Sequence, residues 1–411
     1  MSRSTDVIAE FRAGGRTVLA SAIGVCAGVT GLPFYSLGLF IKPLSAEFGW
    51  GRAAASSAAL CLQFGIVLSA PFIGRSIDRI GVRRVALTSL AGLALGFVLL
   101  SRLGPSFPLF LCAWLGLSLL GSGTTPIAWT RSVATRFDKG RGIALGLTLV
   151  GTGVAGFLAP WLIGGVVASH GWRNGCLVLA AAIGLLALPG VAFLMRDTGA
   201  LSTAVAEARR RGPHVGQALR SRRFAQIGIA FFLIGIVVAG MIVHLVPLLQ
   251  DRGLAPGEAA RDAAMMGFAV IVGRLVVGWL CDRVHAPYVA FVFLMLPVAS
   301  CLILLAHGPA IPAVLLLGLA AGAEIDLLAY LVSRYFGLRA YGEVYGWLLS
   351  IFSLGAGLGP VLIGWSFDRA GSYAPMLVAA SCIISLGAVL VATLGPFPAS
   401  DEQGWRKPSP N

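Results

Sequence analysis

An all-α integral membrane fold, with twelve transmembrane helices in two pseudo-symmetric six-helix bundles, is predicted by three observations. The chain of 411 residues is 57% hydrophobic and only 12% charged, a balance that leaves too few polar side chains to cover a water-soluble domain. Twelve apolar runs each approach or exceed the roughly 20 helical residues needed to cross a bilayer. Two short motifs of the first half recur in the second at nearly constant spacing.

Taken in order, the predicted spans are 17–41, 53–73, 85–103, 108–130, 143–168, 175–195, 224–249, 260–281, 288–306, 310–333, 342–367 and 373–394. The amino-terminal stretch 1–16 reads as a cytoplasmic lead into an uncleaved first helix, because the apolar run after it is far longer than the core of a secretory signal. Residues 17–195 then form the N-terminal six-helix bundle. A polar stretch, 196–223, with seven arginines including Arg209, Arg210 and Arg211, is read as a basic cytoplasmic linker. Residues 224–394 form the C-terminal bundle and 395–411 a cytoplasmic tail.

The net charge of +14 does not mark a nucleic-acid binder, since that needs basic side chains gathered on one accessible face. Here they lie in short loops. With both termini and the even-numbered loops on one side, that side holds 23 of the 31 Lys and Arg, and the excess predicts that it is the cytoplasm. The expected location is the inner, cytoplasmic membrane of a bacterial-type cell, with a monomeric chain embedded in lipid. The seven cysteines are scattered with no CxxC pair, so neither a disulfide framework nor a metal site is expected. No cofactor is implied, and no soluble catalytic constellation is visible, so the chain is not read as an enzyme.

The loop after the second span reads GRSIDRIGVRR and supplies Gly74, Asp78, Arg79, Gly81, Arg83 and Arg84. After the eighth span, GWLCDR supplies Gly278, Asp282 and Arg283, at an offset of 204 residues. Pro160, Gly164 and Gly171 recur as Pro360, Gly364 and Gly371, at an offset of 200. Duplicated halves of this kind are a recurrent build in secondary transporters. The pattern G-x-x-x-D-R-x-G-x-R-R resembles the signature loop of the major facilitator superfamily, and its degenerate second copy falls where that family repeats it. The resemblance covers nearly the whole chain and implies two bundles rocking about a central site, with these nine loop residues as a cytosolic gate.

Within that superfamily, GLPFYSLGLFIKPLSAEFGW (31–50) and RFDKGRGIALGL (136–147) are similar to the monocarboxylate-transporter branch and its bacterial relatives. In that branch an arginine of the eighth helix is associated with the substrate carboxylate, and Arg274 is its counterpart by position. Animal members carry an aspartate four residues earlier, where this chain has Val270, so the proton-coupling acid is sought elsewhere.

Arg274 is itself the most informative residue, because a charge inside a membrane span is costly and marks a functional site by default. Only Glu324 and Asp326 are acids well inside spans. Arg274 and Asp326 each sit seven residues from the predicted cytosolic end of their span, about 10 Å deep at 1.5 Å per residue, so they are expected to meet. Two residues apart on a helix, the acids diverge by about 200°. Asp326 shares its face with Tyr330 and Ser333 and is assigned as the partner of Arg274; Glu324, among leucines, is assigned as the second, protonatable acid. Tyr35, Tyr330 and His244 are added as candidate substrate-binding side chains, and Trp129 as a weaker cavity aromatic. For each, the competing reading is plain packing.

The sequence GTGVAG (151–156) mimics a dinucleotide fingerprint, but no strand precedes it. With GAGLGP (355–360) it is read as a small-residue surface that lets neighbouring helices approach closely. The expected function is secondary active transport of small organic anions, most of all monocarboxylates, by proton symport or anion exchange. The alternatives are efflux of amphipathic drugs or metabolites by proton antiport, or a non-transporting membrane sensor.

Overall fold

The computed structural model describes residues 2–134, 136–137, 140–195, 215–281, 283–337 and 341–397. Among them lie twelve helical spans, numbered here in chain order: α1 (Ile8–Phe48), α2 (Arg52–Ala70), α3 (Val82–Leu100), α4 (Phe107–Val133), α5 (Gly142–His170), α6 (Trp172–Leu194), α7 (Arg222–Asp251), α8 (Pro256–Cys281), α9 (Ala286–Leu305), α10 (Ala310–Phe336), α11 (Tyr341–Ala370) and α12 (Ala374–Ala392). Most of the linker and of the carboxyl-terminal tail falls outside the described residues. The helix of α2 continues to Ile80 and that of α1 begins at Ser2, each longer than its apolar core, because a helix satisfies its own backbone wherever it runs.

Packing reproduces the repeat. In the first half α1 packs on α5, α2 on α4, and α3 on α6; in the second, α7 packs on α11, α8 on α10, and α9 on α12. Adding six to each number of the first set gives the second. The halves meet through α2 with α11 and through α5 with α8, again exchanged by the same shift, and through α1 with α7. Large side chains such as Phe193, Leu185, Leu186 and Phe72 are exposed on the outside, where lipid rather than water suits them.

With lipid as apolar as leucine, helices gain little from the hydrophobic effect and associate through close packing of small residues. The two glycine-rich stretches serve this end. A side chain at Gly151 would collide with the Ala22 carbonyl of α1, and one at Gly153 or Gly267 would drive α5 and α8 apart. Gly355 and Gly359 sit on the Phe232 and Ile236 carbonyls of α7 in the same manner. Toward the end opposite the termini, Gly38 meets Val243, Gly164 meets Ala260, and Gly364 meets Arg52 and Ala53, so the two halves are drawn tightly together there.

The loop between α2 and α3 turns at Gly81, whose φ of 86° is favourable only for glycine. Arg83 Nη2 donates to the Ala192 carbonyl at 3.0 Å and ties α3 to α6, whereas Arg79 and Arg84 are exposed. In the second copy Arg283 bonds the Trp279 carbonyl at 3.1 Å and lies over its ring. Gly74 and Gly278 have open space where a side chain would stand. Asp282 lies outside the described residues.

Candidate substrate site

Two of the N-half helices are broken at one level. α1 turns at residues 28–31 between helices Ser2–Ala27 and Leu32–Phe48, and α4 passes through a 3-10 turn at Ser122–Thr124. The breaks are bonded together: the Val29 amide donates to Thr124 Oγ1 at 2.9 Å, and Trp129 Nε1 donates to the Thr124 carbonyl at 2.9 Å. Trp129 is wholly buried, a brace for the break rather than a cavity wall. Beside the breaks, Thr30, Phe34, Tyr35, Thr125 and Thr130 line a cavity of about 180 Å³ between the halves.

The C half faces them with unbroken helices. Glycines of α10 let α8 come close, Gly318 against Met266 and Gly322 against the Val270 carbonyl. One turn further along each helix, Arg274 and Asp326 are therefore brought side by side. Arg274 Nη1 donates to Asp326 Oδ1 at 2.7 Å. The pairing expected from depth is the one observed. Val270, 1% exposed, is part of this helix contact, leaving no opening there for a same-helix acid.

The arginine is only half engaged. Nη2 reaches Thr152 Oγ1 at 3.4 Å, a long and weak bond, and Nε is buried without a partner. Nε and Nη2 form one edge of the planar guanidinium, the edge that grips a carboxylate with two parallel bonds. Asp326 occupies the other edge. Arg274 is 6% exposed and lines the cavity.

Glu324 also lines the cavity, 7% exposed, and its Oε2 has no hydrogen-bond partner. The leucine-rich face on which it was expected, with Leu327, Leu328 and Leu331, is buried, yet Glu324 is among the lining residues, whereas Asp326, paired with Arg274, is not. Arg274 and Glu324 are the charged side chains among the described lining residues; Gln63, Thr152, Tyr345 and Ser353 add polar atoms.

The other predicted side chains are distributed unevenly. Tyr35 lines the cavity, packed edge-on to Phe34 at 5.6 Å. The Tyr330 hydroxyl is committed to the Cys281 carbonyl at 2.9 Å, away from the cavity lining. His244, fully buried, belongs to a second cluster at the end opposite the termini.

That cluster joins the halves and was not foreseen from the sequence, since flanking charges of separate spans carry no mark of partnership. Lys42 of α1 and Arg52 of α2 both bind Asp251 of α7, at 2.6 and 2.5 Å. Arg52 Nη1 also donates to the Tyr373 hydroxyl at 2.6 Å, and its guanidinium lies 3.5 Å over the Phe367 ring. Asp368 of α11 accepts from the Arg52 and Ala53 amides at 2.8 and 3.0 Å, capping the start of α2 from the other half. Tyr373, between spans, has its phenol pushed up by burial. It contacts His244 Nδ1 at 2.9 Å, while Nε2 lies 2.8 Å from the Pro360 carbonyl and 3.0 Å from Ser56 Oγ. The Pro360 carbonyl can only accept, so Nε2 carries the proton and Nδ1 accepts from Tyr373.

Comparison with known proteins agrees with this architecture. The family model described as Major Facilitator Superfamily matches residues 23–360. The chain is 28% identical over 394 residues to human monocarboxylate transporter 11, covering 90% of this chain and 81% of that protein. It is 29% identical over 400 residues to monocarboxylate transporter 13 of Rattus norvegicus, covering 93% and 89%. Against the uncharacterized MFS-type transporter YcxA of Bacillus subtilis, identity is 24%, covering 88% and 90%. A crystal structure of a bacterial homologue of the human lysosomal transporter Spinster, inward-facing and unoccupied, superimposes with a TM-score of 0.64 at 17% identity, covering 95% and 94%; it supports the fold alone.

Proposed function

The chain belongs to the Major Facilitator Superfamily and is a membrane transporter, not an enzyme; from this we propose that it moves small organic anions, monocarboxylates above all, by alternating access. Its relatives are monocarboxylate transporters by name, and the observation that carries the reading is Arg274 on a central cavity with Nε unpartnered and Nη2 held only by the long bond to Thr152. A carboxylate entering there completes the guanidinium's donors with two charge-assisted bonds. Lysine, a point charge, cannot reproduce that planar grip.

Glu324 supplies the coupling. Arg274 and Asp326 together are neutral, so an ionised Glu324 would present a net negative charge to an incoming anion. A protonated Glu324 removes the repulsion, and anion and proton then travel together. The cluster around Arg52 acts as the outer closure, with both termini in the cytoplasm of an inner-membrane protein as the charge bias favours. Opening it requires the inter-half bonds of Arg52, Lys42 and Asp368 to break together.

Uptake of a carboxylate panel into proteoliposomes, with and without an inward proton gradient, tests the proposal. Gradient-stimulated flux confined to anions is the expected result. Export of hydrophobic cations, or binding without flux, would overturn it.

A further inference from the structure

Resting on that reading, the lining of the same cavity says which monocarboxylates fit. Beside the Arg274 and Glu324 pair, the Gln63 amide and the hydroxyls of four threonines, two tyrosines and Ser353, the rest of the wall is apolar: Phe34, Ile66, Leu149, Ile242, Ala321 and Phe352 are among the residues that face the space. Tyr345 adds a flat wall, held in place by Tyr341, whose ring is parallel to it within 4° at 5.5 Å. The volume of about 180 Å³ compares with an apolar cavity of about 150 Å³ that takes up a benzene molecule. A two- or three-carbon acid held at Arg274 would leave most of this apolar surface without contacts, and a second carboxylate would meet no second cation among the described lining residues.

We propose that the substrate is a monocarboxylate bearing an uncharged apolar body of about the bulk of a benzene ring, an arylacetate or a branched chain of five or six carbons. Tyr345 and Phe34 act as the specificity-determining wall. One missing methylene in a fitted apolar pocket already discriminates by about tenfold or more, so selectivity over short acids is a sharp expectation. The three alanines at the walls, Ala239, Ala321 and Ala356, are 4%, 6% and 1% exposed and line the cavity; the small side chains leave the space that the body fills.

The test is competition, on the full-length protein in proteoliposomes, between propionate, 4-methylpentanoate, phenylacetate, phenylacetamide and succinate. Phenylacetate and 4-methylpentanoate should bind at least about tenfold tighter than propionate, with succinate excluded. Ala321→Leu should lower the ratio of phenylacetate to propionate affinity, and Phe34→Ala should shift preference toward bulkier acids. Propionate binding as tightly as phenylacetate, with phenylacetamide inert, would overturn the size assignment while leaving the anion site standing. Phenylacetamide binding as well as phenylacetate would overturn both.

Discussion

Two arginines, Arg52 part-buried and Arg274 buried, join helices in this protein, and they are used in opposite ways. Arg52 stands at the outer seam, where Asp251, Tyr373, Asp368 and the Phe367 ring all converge on it from the other half of the molecule. Arg274 stands at the central cavity with one edge held by Asp326 of its own half and the other met only by a long bond between Nη2 and Thr152. A guanidinium surrounded by fixed partners is a clamp between bodies. One held firmly by a single partner, with Nε unpartnered and Nη2 weakly bonded beside a cavity, is on our proposal a receptor. The unpartnered Nε and the weakly held Nη2, rather than the charge, separate the two sites.

The contrast breaks most visibly at Arg274. Removing one partner of a buried charge pair costs about 2–5 kcal/mol, so Arg274→Ala should lower uptake efficiency by about 30-fold or more, and Arg274→Lys should not rescue it. Initial uptake rates at matched expression measure this. Next in size, Gly322→Leu should push α10 off the Val270 carbonyl. Overpacking costs about 1–3 kcal/mol, and the displaced Arg274–Asp326 pair should reduce carboxylate affinity about tenfold while the seam at Arg52 stays intact. Glu324→Gln should bring the ratio of uptake with and without a proton gradient to about one, by holding the group permanently neutral; anion exchange should continue. The smallest effect belongs to the clamp. Arg52→Ala removes partly exposed bonds of about 1 kcal/mol each, and should speed hydrogen exchange at the Ala53 amide and in the outer turns of α7 and α11, with carboxylate binding retained. Slowed exchange there, or loss of binding, would erase the distinction between the two arginines.

Much of the fold was legible because a membrane imposes long apolar periods and charge bias on the sequence itself. The twelve spans, the duplication and the close-packing role of GTGVAG followed from those constraints. The Arg274–Asp326 pair was legible for a related reason: few charges occur at depth, so few partners are available. Side-chain direction was less so. Glu324 was placed among leucines by helical phase, yet it lines the cavity, because helical phase alone does not fix where the cavity between two bundles falls. Tyr330 was grouped with the substrate by the helix face it shares with Asp326 and His244 by its place near the outer end of the seventh span, whereas their hydroxyl and imidazole are taken up by the Cys281 carbonyl and by Tyr373 and the Pro360 carbonyl. The seam of Lys42, Arg52, Asp251 and Asp368 was hidden, since residues about 200 or more apart in sequence met only through the folding of two bundles against each other. The breaks in α1 and α4 were equally silent: both spans read as continuous apolar runs.

A structure with a brominated monocarboxylate bound would test the anion receptor most directly, since the bromine locates the ligand independently of its carboxylate. Both carboxylate oxygens are expected on Nε and Nη2 of Arg274, at about 2.7–2.9 Å, with Nη1 still on Asp326. A carboxylate held elsewhere in the cavity, with Nε left unpartnered, would contradict the assignment of Arg274 as the anion receptor.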